Sequence, residues 1–78
     1  MRYDTEKWQA KRWETERRYY VAELRQDLFG GWCIERHWGA RYSRQGNSLT
    51  ISANDYVHAL ELLEEVAKRR QLRGYAHA

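Results

Sequence analysis

From Asn54 to Arg73 apolar residues recur every three or four positions, and no other stretch of the chain keeps that period. Tyr56, Ala59, Leu60, Leu63, Val66, Ala67 and Leu72 make the stripe, with Glu61, Glu64, Glu65 and Lys68 on the opposite side. A helix with one apolar face has to bury it against another element. Ser52 or Asn54 is placed to cap its start, Asp55 suits the positive end of the helix dipole, and Gly74 supplies the stop. Lys68, Arg69, Arg70 and Arg73 complement the negative end of the dipole, which accounts for that basic run without a ligand. The chain has 78 residues, enough for a single core, so the remainder must form the layer this helix covers.

That layer reads with a period of two. Over Arg17 to Arg25, Tyr20, Ala22 and Leu24 share one face while Tyr19, Val21, Glu23 and Arg25 share the other, the pattern of a half-buried strand. Gln26-Asp27-Leu28-Phe29-Gly30-Gly31 then offers a turn-forming Asp and two glycines, which predicts a hairpin loop of about five residues. Trp32 to Trp38 is the antiparallel partner, with Trp32 and Ile34 inward and Arg36 interrupting the row. Lys7 to Trp13 reads as an edge strand followed by a polar turn over Glu14 to Glu16. Residues 39–47 read as a loop, and Ser48 to Ser52 as a last short strand with Leu49 and Ile51 inward. The fold expected is α+β: a small twisted antiparallel sheet of three to four strands with one long C-terminal helix packed on one face. Residues 1–7 are expected as a loosely held arm, 8–75 as the domain and 76–78 as a tail.

Several function classes are excluded or disfavoured by composition. No stretch approaches the roughly 20 apolar residues of a membrane span, and the residues after Met1 resemble no secretory signal, so a cytoplasmic location is expected. Cys33 is the single cysteine; with His37, His58 and His77 it matches no zinc-ligand spacing, and neither a metal nor a cofactor is expected. His58 is better suited to a solvated or capping role than to catalysis. No paired carboxylates, activated serine or Gly-rich phosphate loop is present, so the chain reads as a non-enzyme. The net charge of +3 permits nucleic-acid binding without requiring it. Aromatic residues at 14% exceed what a small core uses, which leaves rings for the surface.

Taken in order, Tyr19-Tyr20, Leu24, Asp27-Leu28-Phe29-Gly30-Gly31-Trp32, Ile34, Arg36, Trp38-Gly39, Arg41, Gly46, the helix and Gly74-Tyr75 resemble the WGR family over residues 8–75. The family is named for a Trp-Gly-Arg triplet and occurs in poly(ADP-ribose) polymerases and in small bacterial proteins, which this chain resembles more. The resemblance implies DNA contact near a strand break, with the motif tryptophan stacking at the 5′ end and basic neighbours holding the backbone. Trp38 and Gly39 match the motif; position 40 is Ala, Arg41 follows it, and Tyr42 replaces a glycine common in the family.

Independently of any family, Arg36, His37, Trp38, Arg41 and Arg44 set potentially cationic groups around one aromatic ring. Phosphates call for Arg or Lys, and an exposed base offers a face worth about 1 to 3 kcal/mol on stacking. Arg36, Trp38, Gly39, Arg41 and Arg44 are therefore the candidate nucleic-acid-binding residues, and DNA, including ends carrying a 5′ phosphate, is the expected partner. Two readings stay open at this point. Trp38 can equally be a core residue sealing the sheet among solvated arginines, and the chain can be a protein-interaction module that uses an edge strand or exposed aromatics.

Overall fold

The computed structural model describes residues 3–77, except for the side chain of His77; Met1, Arg2 and Ala78 lie outside the described residues, and with them the ends of the expected arm and tail. A short 3-10 turn, Thr5–Lys7, leads into β1 (Gln9–Glu14), β2 (Arg18–Gln26), β3 (Trp32–Ala40) and β4 (Gly46–Ser52), then α1 (Tyr56–Leu72) and a two-residue β5 (Ala76–His77). All pairings are antiparallel, in the spatial order β4-β3-β2-β1-β5. The expected α+β architecture is therefore the observed one, with four full strands and a short fifth.

The β2–β3 register fixes which side chains share a face. Arg18, Tyr20, Ala22, Leu24 and Gln26 stand opposite Ala40, Trp38, Arg36, Ile34 and Trp32, and alternation turns all ten toward the helix. Tyr20, Ala22, Leu24 and Ile34 are buried there with Trp13 of β1 and Ala59, Leu63 and Val66 of α1. The intervening loop 27–31 is held by Asp27, whose Oδ1 accepts from the backbone N–H groups of Phe29 and Gly31, both at 2.9 Å. Gly30 takes a positive φ of 82°, which glycine adopts without steric cost.

Helix α1 begins two residues later than the sequence reading placed it. Asp55, and neither Ser52 nor Asn54, is the N-cap: its Oδ1 accepts from His58 N–H at 2.8 Å, and Asn54 N–H donates to His58 Nδ1 at 2.9 Å. His58 thus fills a capping role. At the other end Gly74, with φ 84°, donates to Gln71 O, and Tyr75 donates to Arg70 O. This is the Schellman arrangement, which turns the chain back toward the sheet. Leu72 is 87% exposed because it lies off the stripe, whereas Arg70 continues the 59-63-66 spacing and is buried.

The remaining differences concern strand ends. Gly39, Ala40, Gly46 and Asn47, expected in a loop, belong to β3 and β4, so the connection shrinks to residues 41–45. A Cβ on Gly46 would lie 2.8 Å from the Tyr19 hydroxyl and 3.0 Å from Trp38 O; two facing glycines let these strands pair beneath Tyr19. Leu49 points to the helix side but is 46% exposed, since α1 does not reach the end of β4. Residues 3–8, expected within or beside an arm, are bound to Gln26: its Oε1 accepts from Asp4 N–H at 2.6 Å and from Trp8 Nε1 at 3.2 Å, and its Nε2 donates to Gly30 O at 2.9 Å. At the far end, β5 pairs Ala76 with Glu14 and His77 with Trp13. No helix is long and apolar enough to cross a membrane among the described residues.

Candidate nucleic-acid interface

At the end of the sheet away from loop 27–31, the helix-side face is left partly uncovered, and there it forms a cleft of about 640 Å³ lined by Thr15, Arg18, Tyr20, Arg36, Trp38, Leu49, Arg70, Arg73 and Tyr75. Each lining group has a local reason for its position. The turn after β1 closes through Thr15 N–H to Arg18 O and Arg18 N–H to Thr15 Oγ1, which starts β2 with Arg18 on the helix side. Strand alternation carries Tyr20, Arg36 and Trp38 to the same side. Arg36 fits there because its cross-strand neighbours are the small Ala22 and the edge residue Leu49. The last helical turn brings Arg70 and Arg73, and the reversal at Gly74 brings Tyr75.

The aromatic groups are layered. Tyr20 and Trp38 are cross-strand partners with rings stacked at 5.7 Å between centroids and 14° between planes, and Tyr75 meets Tyr20 edge-on at 6.4 Å. The Arg70 guanidinium lies over the Tyr20 ring at 4.1 Å and over Tyr75 at 5.4 Å. Arg70 is 9% exposed, and its Nε and that of Arg36 are buried without a hydrogen-bond partner. No carboxylate lines the cleft, and among the described residues none of Arg18, Arg36, Arg70 and Arg73 is ion-paired. The cleft thus sets four guanidinium groups beside the stacked rings of Tyr20 and Trp38.

The five residues singled out from the sequence are distributed unevenly around this cleft. Arg36 and Trp38 line it, Trp38 half-buried against the core. Gly39 sits in β3, where a Cβ would lie 3.1 Å from Gln45 O and 3.2 Å from Gly46 Cα; its lack of a side chain answers a close strand approach. Arg41 is outside the lining, ion-paired with Glu14 at 3.6 Å and stacked over Tyr42 at 5.7 Å. Glu14 is itself held ionised below the usual carboxylate range, first by a hydrogen bond from Arg12 and then by the charge of Arg41. Arg44 is exposed in loop 41–45. Arg18, Arg70, Arg73 and Tyr75 also line the cleft and are not among the candidates the sequence offers. Arg18 has the parity of Tyr20, and Arg70 falls where the helix stripe calls for an apolar residue; those were the available signals.

Other chemistry is sparse among the described residues. No group of three or more His, Cys, Asp or Glu side chains could hold a metal ion. Cys33 is buried, and that burial, reinforced by Asp27 and Glu35, raises its thiol above the ordinary range. His37 lies between Glu35 at 3.2 Å and Glu23 at 3.7 Å, on the sheet face away from the helix.

The architecture and cleft are those of a small binding domain built on an open antiparallel sheet. The sequence model of one family, described as WGR domain, matches residues 4–78, nearly the whole chain, and the protein belongs to that family. The WGR domain is a binding domain, generally a nucleic-acid-binding module in proteins like the poly(ADP-ribose) polymerases. No curated protein and no solved structure matches the chain significantly.

Proposed function

We propose that this domain binds nucleic acid at DNA ends, with the terminal base or sugar against Trp38 and the backbone held by the arginines of the cleft. One observation carries this reading: four arginines and three aromatic rings line a single cleft that contains no carboxylate. Arginines supply the sequence-independent attraction to phosphate, and a ring supplies a stacking surface that only an unstacked or terminal nucleotide can use. Arg44 would meet the backbone beyond the end, while Arg41, already paired with Glu14, would contribute less. The role is one of binding and not of catalysis, and the working location is the cytoplasm.

The test is fluorescence anisotropy with a short linear duplex and a covalently closed duplex of matched sequence, over a range of salt. Tighter binding to the linear form, weakening steeply with salt, is expected. Equal affinity for both forms refutes end recognition. The second reading, a protein-interaction module, is favoured by β4, an open edge of seven residues without a charge, and by Leu28 and Phe29, 82% and 85% exposed. Absence of duplex binding even at low salt would favour it, because strand pairing responds little to ionic strength.

A further inference from the structure

We infer that the groove between β4 and α1 receives an extended segment of a partner protein, which adds to the sheet as a sixth strand antiparallel to β4 and carries an apolar side chain followed two residues later by an acidic one. The inference goes beyond the nucleic-acid reading and is independent of it; it gives the open edge of the second reading a defined occupant.

Backbone geometry supplies the first half. Ala53 N–H donates to Trp32 O at 2.8 Å, one step beyond the ladder that runs without a break from Cys33 opposite Ser52 to Gly39 opposite Gly46. Bonded and non-bonded pairs alternate along an antiparallel ladder, so Asn47, Leu49 and Ile51 bond to β3, while Ser48, Thr50 and Ser52 direct their N–H and C=O groups away from the sheet. An edge of this kind is ordinarily blunted by charge, proline or a bulge. The opposite edge follows that rule, since β1 carries Lys11, Arg12 and Glu14 and is closed at one end by β5. β4 has no charge, no proline and no bulge over its seven residues.

Side chains supply the second half. Beside this edge, under α1, lies a cavity of about 140 Å³ bounded by Ile34 and Ile51 of the sheet and by Leu62 and Val66 of the helix, room for a single aliphatic side chain. An added strand turns every second side chain toward the helix, so the residue beside Ile51 enters the cavity. The next residue on that side stands beside Leu49, whose partner on β3 is Arg36. Arg36 and Arg69 line the same cavity. Among the described residues neither is ion-paired, not even with Glu65 on the same helix flank, and Arg36 Nε is buried without an acceptor. An acidic side chain at that place answers both. A second copy of β4 does not: paired symmetrically over its full length, it sets Asn47 beside Ile51 and places Arg36 of both copies on either side of a Leu49 pair, with no carboxylate on either strand. Backbone bonds along an edge, with pockets for alternate side chains, make up the strand-addition mode of peptide recognition.

The test titrates the chain with end-blocked peptides, Thr-Thr-Ile-Thr-Glu-Thr-Thr and the same sequence with Gln for Glu, with Ser for Ile, or with Ile and Glu exchanged, followed by amide chemical shifts and hydrogen exchange. The parent peptide should shift the amides of Ser48, Thr50 and Ser52 and slow their exchange. Each altered peptide should bind about five- to tenfold more weakly, the scale of one charge-assisted bond or one buried aliphatic group. Thr50→Pro removes an outward N–H, leaves the bonds between β3 and β4 in place and should weaken binding of the parent peptide about tenfold with little change in melting temperature. The peptide series requires no change in the protein, so the inference stays testable if Thr50→Pro does not fold. Absence of shifts at β4 up to millimolar peptide overturns it, as does equal binding of all the peptides or a folded Thr50→Pro that binds the parent as tightly as the wild type. Protection of Ser48, Thr50 and Ser52 that rises with protein concentration in the absence of peptide makes a second copy the occupant and overturns it also. Duplex DNA takes no part in these measurements, so the nucleic-acid reading is left where it stands.

Discussion

Arg18 and Ala40 face each other across the β2–β3 ladder. The position that follows Trp38-Gly39 therefore has a guanidinium directly opposite it on the neighbouring strand and on the same face of the sheet. If both positions serve one phosphate, they should be interchangeable: Arg18→Ala should weaken duplex binding about fivefold and lower the salt slope by about one unit, and Ala40→Arg in the same chain should restore both. In the otherwise unchanged chain, Ala40→Arg should raise affinity by a similar factor and lower stability by less than about 1 kcal/mol, since it sets like charges opposite one another. Anisotropy titrations and thermal melts of the four chains decide the matter; failure of Ala40→Arg to compensate would separate the two positions.

Trp38→Ala should reduce affinity for duplex ends by about 1 to 3 kcal/mol while leaving the salt slope unchanged, because stacking releases no counterions. The same substitution removes the partner of Tyr20 and should lower the melting temperature. Trp38→Phe retains a ring and should recover most of both. An altered salt slope would show that the arginines had moved with the ring.

Gly46→Ala brings a methyl group within 2.8 Å of the Tyr19 hydroxyl and 3.0 Å of Trp38 O. A loss of about 1 to 3 kcal/mol is expected, the range for overpacking. Adding Tyr19→Phe removes the first clash and not the second, so the double variant should recover part of the loss in a chemical denaturation series. Complete recovery would mean that the strand backbone at Trp38 yields freely.

Gln26→Ala removes the acceptor shared by Asp4 N–H and Trp8 Nε1. The loss of a buried hydrogen-bonding hub should cost on the order of 2 to 3 kcal/mol. Trp8 fluorescence should shift to the red as its ring loses its anchor, with duplex affinity unchanged, since this hub lies at the other end of the sheet from the cleft.

Cys33 should react slowly with iodoacetamide in the folded protein. Burial raises the thiol above its ordinary value, so the thiolate fraction at a given pH is smaller than in the unfolded chain, and the folded rate should rise at a higher pH than the unfolded rate does. The sign for stability follows: once pH passes the unfolded value, the unfolded state loses its proton first and stability declines. A folded rate equal to that of the denatured chain at pH 8 would contradict the burial.

The helix and the hairpin were readable because their signals are local: the three-and-four spacing over Ala59, Leu63 and Val66, the alternation of Tyr20, Ala22 and Leu24, and the Asp and glycines of loop 27–31. That Arg36 and Trp38 share a face is legible as well, because they are two residues apart on one strand. Arg41 lies three residues from Trp38 in sequence, yet it pairs with Glu14 on the other side of the sheet and stays outside the lining of the cleft. Gln26 reads as part of the turn, since its partners lie 18 and 22 residues away. The helix dipole accounts for Arg70 as for any basic residue in that turn; only the rings of Tyr20 and Tyr75, brought in from a strand and from the chain reversal, show why this one is buried.

The attachments of the two chain ends give the domain a direction. Tyr3 and Asp4 bond to Leu28 and Gln26 at one end of the sheet, while Ala76 pairs with Glu14 at the other, beside Thr15 on the cleft rim, in a molecule 40 Å in its longest dimension. Whatever is joined ahead of Tyr3 starts far from a ligand in the cleft, and whatever follows β5 starts next to it. A dye or an immobilisation tag therefore disturbs binding least on the N-terminal side. An enzyme tethered after β5 would meet a molecule held in the cleft at a high effective concentration, set by the length of its linker.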